Sequence, residues 1–358
     1  MSAVKPTIAV VGATGAVGTQ MLAIMTERAE AGVGDIWGGV RLIASARSAG
    51  RKLSVFGREE TVVALSPEAF DGVDVALFDV PDEVSAEWAP VAAARGVVVI
   101  DKSGAFRMDP QVPLVVPEVN PDSITDRPKG IIANANCTTL AMMPALGALH
   151  REYNLVKLFA ASYQAASGAG QAGIDELYDQ YEAVAGRRTL GQTPGTVRET
   201  LGDKGSEVFG APLAMNVVPK AGSWKEDGWT SEELKIRNES RKILGIPGLA
   251  VSSTCVRVPV LVGHSLAVHA TFESEVDADA ARKILAAAPG VTVLDDPSRE
   301  IYPMPADTAG TDPTYVGRIR RAIDDPCSLD MFIVGDNLRK GAALNSAQIA
   351  ELAVERGL

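Results

Sequence analysis

Thr7-Ile-Ala-Val-Val11 followed by Gly12-Ala-Thr-Gly15-Ala-Val-Gly18 decides how the first half of the chain is read. The first piece is a continuous apolar run of buried-strand length. Glycines then recur at G-x-x-G-x-x-G spacing, and Val17, Met21, Leu22 and Met25 continue at helical period. Strand, glycine turn and helix in that order form a dinucleotide cradle, because glycines let the backbone approach a pyrophosphate held at the helix N-terminus.

Working outward, the second strand is Arg41-Leu-Ile-Ala-Ser45, where an NAD site usually places a carboxylate for the ribose hydroxyls. No Asp or Glu follows it. Ser45-Ala-Arg47-Ser48-Ala-Gly50 comes instead, and a guanidinium with two hydroxyls suits a 2′-phosphate, so NADP is preferred over NAD. A solvated basic turn is the plainer meaning of the same residues. Val73-Asp-Val-Ala-Leu-Phe78 and Val97-Val-Val-Ile-Asp101 are further strands, separated by a helical stretch from Val84 to Ala94. This βα alternation predicts a Rossmann-like, doubly wound parallel sheet. Asp101-Lys-Ser-Gly-Ala-Phe-Arg107 lies beyond a strand's carboxyl end, where such sheets place ligands. Arg107 there suits a phosphate or carboxylate, and equally an ordinary surface position.

In Ile131-Ile-Ala-Asn-Ala-Asn-Cys137-Thr-Thr-Leu140 an apolar run stops and a helix can begin at the cysteine. Unpaired N–H groups and the positive dipole end favour a thiolate, which makes Cys137 a candidate nucleophile. A small buried hydrophobe is the competing reading. Leu140, Met143, Leu146 and Leu149 extend the helix, which Pro144 can bend.

Further on, 157–165 reads as a strand ending near Gln164, followed by the small-residue loop Ser167-Gly-Ala-Gly170. Residues 185–220 read as an extended excursion suited to a subunit contact rather than to chemistry. Trp229-Thr-Ser-Glu232-Glu-Leu-Lys235 looks like a capped helix start that puts Glu232 and Lys235 on one face. The stretch from Ser252 to Phe272 alternates like strand, with Pro259 and Gly263 as the places where it breaks. Among the three histidines, His264 stands among small residues and is the choice for a base beside a thiol. At the end come a strand at 331–334, a polar turn with Asn337, and an alanine-rich helix that needs a groove, expected on the nucleotide domain's sheet.

Composition narrows the function. A net charge of −11 argues against a nucleic-acid surface but leaves room for a locally basic pocket. Three widely spaced cysteines without a C-x-x-C pair suggest neither a disulfide framework nor a metal site, so the expected compartment is the cytoplasm. No apolar run reaches spanning length, and residues 1–6 lead into a strand without a signal-peptide core.

Taken together, the motifs resemble the aspartate-semialdehyde dehydrogenase family along almost the whole chain. They are G-A-T-G-A-V-G at 12–18, S-A-R-S-A-G at 45–50, A-F-R at 105–107, N-C-T-T at 136–139, Y-Q-A-A-S-G-A-G at 163–170, E-E-L-K at 232–235, T-C-V-R-V-P-V at 254–260, G-H-S at 263–265 and D-N-L-R-K-G-A-A-L-N at 336–345. The resemblance implies an NADP-binding domain (1–135), an α+β catalytic and dimerisation domain (136–334), and a C-terminal helix (335–358) returning to the first. It implies reduction of L-aspartyl-4-phosphate to aspartate 4-semialdehyde through a Cys137 thioester, by a homodimer or dimer of dimers. Cys137 would be the nucleophile, His264 the acid/base and Gln164 a substrate-orienting amide. Arg257 would take the α-carboxylate, Glu232 the ammonium, and Arg107 with Lys235 the phosphate. Gly12, Thr14, Gly15, Ala16, Val17, Ser45, Arg47, Ser48, Ser167, Gly168 and Asn337 would belong to NADP.

The chain departs from the family at Ala135, usually Pro, at Lys102 and Gly104, usually Asn-like and Ser-like, and at Asp79-Val-Pro81, usually a Ser-Ala-Gly-like turn. A carboxylate at Asp79 would repel a pyrophosphate. The alternatives are a catalytically altered NADP-binding paralogue and an N-acetyl-γ-glutamyl-phosphate reductase-like enzyme, the latter at odds with Glu232 as partner of a free amine.

Overall fold

The computed structural model describes residues 5–202 and 207–358. The start of the N-terminal lead and part of the 185–220 excursion therefore lie outside the described residues. The chain divides into two compact units. One holds residues 1–136, 242–245 and 339–358, the other 137–241 and 246–338.

The first unit is built on a seven-stranded sheet. Its strands are β1 (Thr7–Val11), β2 (Gly39–Ala44), β3 (Val63–Ala64), β4 (Val75–Phe78), β5 (Val98–Asp101), β6 (Leu114–Val115) and β7 (Ile131–Asn134). They lie in the order β3-β2-β1-β4-β5-β7-β6, and every pairing is parallel. Because β2 lies on one side of β1 and β4 on the other, the order reverses at β1. That reversal opens a crevice above its carboxyl end. Strands covered on both faces need near-continuous apolar sequence, which is why β1, β4 and β5 read as unbroken hydrophobic runs. Helices α1 (Ala16–Glu30) and α2 (Asp82–Ala93) supply crossovers.

The terminal helix α7 (Leu344–Glu355) belongs to this unit and packs on α1, β4 and β5. Its Leu344, Ala347, Ile349, Ala350 and Ala353 join the core formed by Ile8, Val10, Leu77 and Ile100. A buried polar network flanks that contact. Lys340 Nζ donates to both Glu118 carboxylate oxygens (2.8 and 2.6 Å), to Asn345 Oδ1 (2.7 Å) and to Gln348 Oε1 (2.8 Å).

The second unit begins with α3 (Cys137–Tyr153) and contains a mixed six-stranded sheet. Its strands are β8 (Leu155–Gln164), β9 (Ala250–Arg257), β10 (His264–Phe272), β11 (Val291–Val293), β12 (Thr314–Arg321) and β13 (Ser328–Gly335), in the order β9-β8-β10-β13-β12-β11. The remaining helices used below are α4 (Gln171–Val184), α5 (Ser231–Leu244) and α6 (Ala278–Ala287). Helices α3 and α6 cover one face of this unit. The other face leaves Phe159 and Tyr163 exposed.

The alternating stretch 252–272 is two strands that flank β8 on opposite sides, and the break falls at 258–263, around Pro259 and Gly263, where the sequence places it. One expectation needs correcting: the 185–220 segment is not merely an excursion. Phe209, Leu213, Ala214 and Val218 are buried against Leu177 of α4 and Ala166, a small core whose apolar residues follow no period that sequence could reveal.

Candidate active site

Three strand ends converge. β8 and β9 run parallel, so Gln164 and Arg257, register partners, finish side by side. β10 runs antiparallel on the other flank of β8 and starts there, pairing Ser265 with Tyr163, so His264 opens the strand where the other two end. Cys137, the first residue of α3, completes the group: its Sγ lies 3.3 Å from His264 Nε2. The thiol is half-buried, while His264 is fully buried.

The imidazole is oriented from behind. Ala165 N–H donates to His264 Nδ1 at 3.1 Å, so the proton of the neutral ring is carried on Nε2, the nitrogen at the sulfur. Burial, and then the positive charge of Arg257, push the His264 pKa down to about 3. At neutral pH the ring is therefore an uncharged N–H donor toward Sγ. Cys255, by contrast, is sealed within β9, and burial raises its thiol to about 12, which makes it unreactive.

Arg257 is held by Ala165 O (2.6 Å) and lies over the Phe209 ring at 5.6 Å. Burial lowers its pKa, while negative charge at Cys137 and Glu232 acts to raise it. A Cβ at Gly168 would sit 2.7 Å from Arg257 Nη1 and 3.2 Å from His264 Nε2, so only glycine lets this loop lie against both groups. Gln164 Nε2 donates to Thr138 Oγ1 at 2.7 Å, which ties the amide to the turn that starts at Cys137.

Glu232 and Lys235 share the first turns of α5, as expected, and bind each other at 2.7 Å. Thr230 N–H donates to Glu233 Oε2 (2.7 Å) in a capping box, and Glu233 Oε1 accepts Cys255 N–H (3.1 Å), so the helix start is fastened to β9. Asn337 Oδ1 accepts the N–H of Gly263 at 2.9 Å, and its side chain is paired with Ser167 Oγ, so it braces the turn before His264.

The first unit carries the other predicted residues. Gly12 takes φ +91°, and a Cβ on Gly18 would lie 2.2 Å from Gly12 O, so the turn and α1 pack at glycine distance. Gly15 caps α1 without a side-chain bond, no acidic residue occupies the first turn, and Ala16 and Val17 present its opening N–H groups. Thr14 Oγ1 meets Ser48 Oγ at 3.3 Å, which joins the glycine turn to Ser45, Arg47 and Ser48. Arg47 is exposed and makes no ion pair among the described residues. An open helix N-terminus beside a guanidinium fits a dinucleotide with a 2′-phosphate. Asp79 is not the lone repelling charge expected: Lys102 Nζ binds its Oδ1 at 2.7 Å. Arg107 Nη2 donates to Lys102 O (2.6 Å), and Lys242 Nζ gathers the carbonyls of Arg107, Asp109 and Val112. Phe209 and Lys242 escaped the sequence reading, since nothing local distinguishes them.

The pattern for "Semialdehyde dehydrogenase, NAD binding domain" matches residues 7–127, and that for "Semialdehyde dehydrogenase, dimerisation domain" matches 146–340. An aspartate-semialdehyde dehydrogenase of Corynebacterium glutamicum is 48% identical over 98% of this chain and 99% of that protein. The chain belongs to the aspartate-semialdehyde dehydrogenase family. The Bacillus subtilis member is 44% identical over 96% of each chain. Among solved structures, the Vibrio cholerae aspartate semialdehyde dehydrogenase II complexed with ASA superposes with a TM-score of 0.89 at 36% identity, covering 99% of both chains. Membership gives the Cys137–His264 contact a chemical setting. In a semialdehyde dehydrogenase, a thiol at a helix start with an N–H donor beside it has the equipment for acyl transfer.

Proposed function

We propose that the chain catalyses the NADP-dependent reductive dephosphorylation of L-aspartyl-4-phosphate to L-aspartate 4-semialdehyde. The observation that carries this reading is the 3.3 Å contact between Cys137 Sγ and His264 Nε2 at the first residue of a helix. The Nε2–H donor and the helix N-terminus both favour sulfur as thiolate. Cys137 attacks the acyl carbon, an S–C bond forms, and the C–O bond to phosphate breaks with its electrons leaving on phosphate. Arg107 and Lys235 are assigned to the phosphate, Arg257 to the α-carboxylate, Glu232 to the ammonium and Gln164 to orientation. Backbone N–H groups of the first turn of α3, with His264 Nε2–H, steady the oxyanion. NADPH, when bound, would supply the one hydride that reduces the thioester carbonyl. When the Cys137-bound hemithioacetal collapses, its oxyanion re-forms the carbonyl as the C–S bond breaks, and the same Nε2–H hydrogen-bonds the departing thiolate, so His264 acts there as a hydrogen-bond donor that keeps its proton.

Gly12, Thr14, Gly15, Ala16, Val17, Ser45, Arg47, Ser48, Ser167, Gly168 and Asn337 are assigned to the cofactor. The working division is 1–135 for NADP, 136–334 for catalysis and dimerisation, and 335–358 for the returning helix. The uncovered face of the second sheet, with Phe159, Tyr163 and the neighbouring Phe332, supports a homodimer. A reactive thiol with two further free cysteines suits a reducing compartment, and we place the reaction in the cytoplasm.

The test follows NADPH formation from aspartate semialdehyde, NADP and phosphate. Cys137→Ser is expected to lower the rate on the order of a thousandfold or more while NADP still binds. Equal loss of turnover and nucleotide binding would remove Cys137 from the role of nucleophile.

A further inference from the structure

We infer that Lys102 is a positioning residue for the dinucleotide, because it cancels the charge of Asp79, a carboxylate set directly against the pyrophosphate turn. The inference rests on the dinucleotide binding proposed above.

Phe78 and Asp101 are the last register pair of β4 and β5, so Asp79 and Lys102 are the next neighbours beyond the ladder. Asp79 is packed on the glycine turn. Its N–H donates to Val11 O (2.9 Å), its carbonyl oxygen lies 2.0 Å from where a Cβ on Gly12 would stand, and its Oδ2 is 3.7 Å from the corresponding point on Gly15. Gly15 is the residue from which α1 starts. The carboxylate thus stands at the N-terminus that would receive a phosphate group, and at 13% exposure water does little to screen it. An unpaired carboxylate there would repel the dianionic bridge of a dinucleotide.

Lys102 answers that charge from a fixed place. Its N–H donates to Phe78 O (3.0 Å), its carbonyl accepts from Arg107 (2.6 Å), and its Nζ meets Asp79 Oδ1 at 2.7 Å. The ammonium keeps two protons beyond the one given to Asp79, so it offers the phosphates attraction where the aspartate alone would offer repulsion. The two residues are 23 positions apart in the chain and are brought together by the pairing of β4 with β5.

The experiment measures NADPH binding by fluorescence titration of the full-length protein, without turnover, at low and high salt. Four variants are compared with the unaltered chain: Lys102→Met, Lys102→Arg, Asp79→Asn and the double variant Lys102→Met/Asp79→Asn. Lys102→Met is expected to weaken binding about tenfold or more at low salt, and less at high salt. Lys102→Arg and the double variant should stay within about threefold of the unaltered protein. Rescue by removing a second charge is a result that a merely structural lysine would not give, and thermal unfolding without ligand reports separately on the fold. Unchanged binding in Lys102→Met, or a double variant no better than that single one, would overturn the inference. Failure of the unaltered protein to bind NADPH would instead overturn the dinucleotide reading, and the inference with it.

Discussion

His264 is held neutral by its burial, by Arg257 and by the backbone at Ala165. Burial opposes the charged ring, Arg257 repels it, and Ala165 N–H occupies Nδ1. The consequence for stability has a definite sign. The native pKa of about 3 lies below the 6.5 of a free histidine, so between those values the unfolded chain binds the proton that the folded chain refuses. The contribution is fully present above pH 6.5 and is lost as pH falls toward 3. Urea unfolding at a series of pH values should show this, and His264→Gln should flatten the acid side of the stability profile relative to the unaltered chain. An identical slope in the variant would mean that the ring is not buried neutral. At the same scale, the sulfur that reacts is chosen by environment. Cys137 is half-buried at a helix start, whereas Cys255 is enclosed in a strand.

The returning helix α7 illustrates how an element is positioned by two kinds of contact. Its alanine-rich face fills the core above β4 and β5, a contact whose strength grows with the apolar area covered. Its place along that groove is set by polar groups. Asn345 Nδ2 reaches Asn134 Oδ1 (2.6 Å), and Lys340 is surrounded by four acceptors while only about 2% of its side chain is exposed. Removing one partner of such a pair leaves a buried charge, at a cost of roughly 3–5 kcal/mol. Lys340→Met is therefore expected to lower the free energy of unfolding by about 3 kcal/mol in urea titration, and replacing Glu118 by Gln in the same chain should recover part of it. The apolar pattern of this helix was readable in sequence. The Lys340–Glu118 pair was not, because its members are 222 residues apart.

For the molecule as a whole, the second sheet is the informative part. One face is covered by α3 and α6, and the other presents Phe159 and Tyr163, with the Phe332 ring 6.1 Å from that of Tyr163. Exposed aromatic residues on an uncovered sheet face are expected to be covered by a second copy. Phe159→Glu should shift the molecular mass in light scattering from dimer toward monomer, with secondary structure by circular dichroism unchanged. A variant that remains a dimer would exclude this face as the interface. The Phe209 segment carries a similar lesson: its residues looked like an excursion, yet the ring lies over Arg257.

Sequence alone was sufficient wherever the physics is local. A strand, glycine turn and helix form from contiguous residues, a thiol at a helix start is a matter of neighbours, and the missing carboxylate after the second strand sits within a few positions of it. Only tertiary structure could decide what depends on strand order. Cys137, Gln164, Arg257 and His264 meet because β9 and β10 flank β8 in opposite directions, which brings two strand ends and one strand start to the same edge. The neutralisation of Asp79 by Lys102 arises in the same way, from adjacent parallel strands, since charge cancellation follows distance in space rather than separation along the chain.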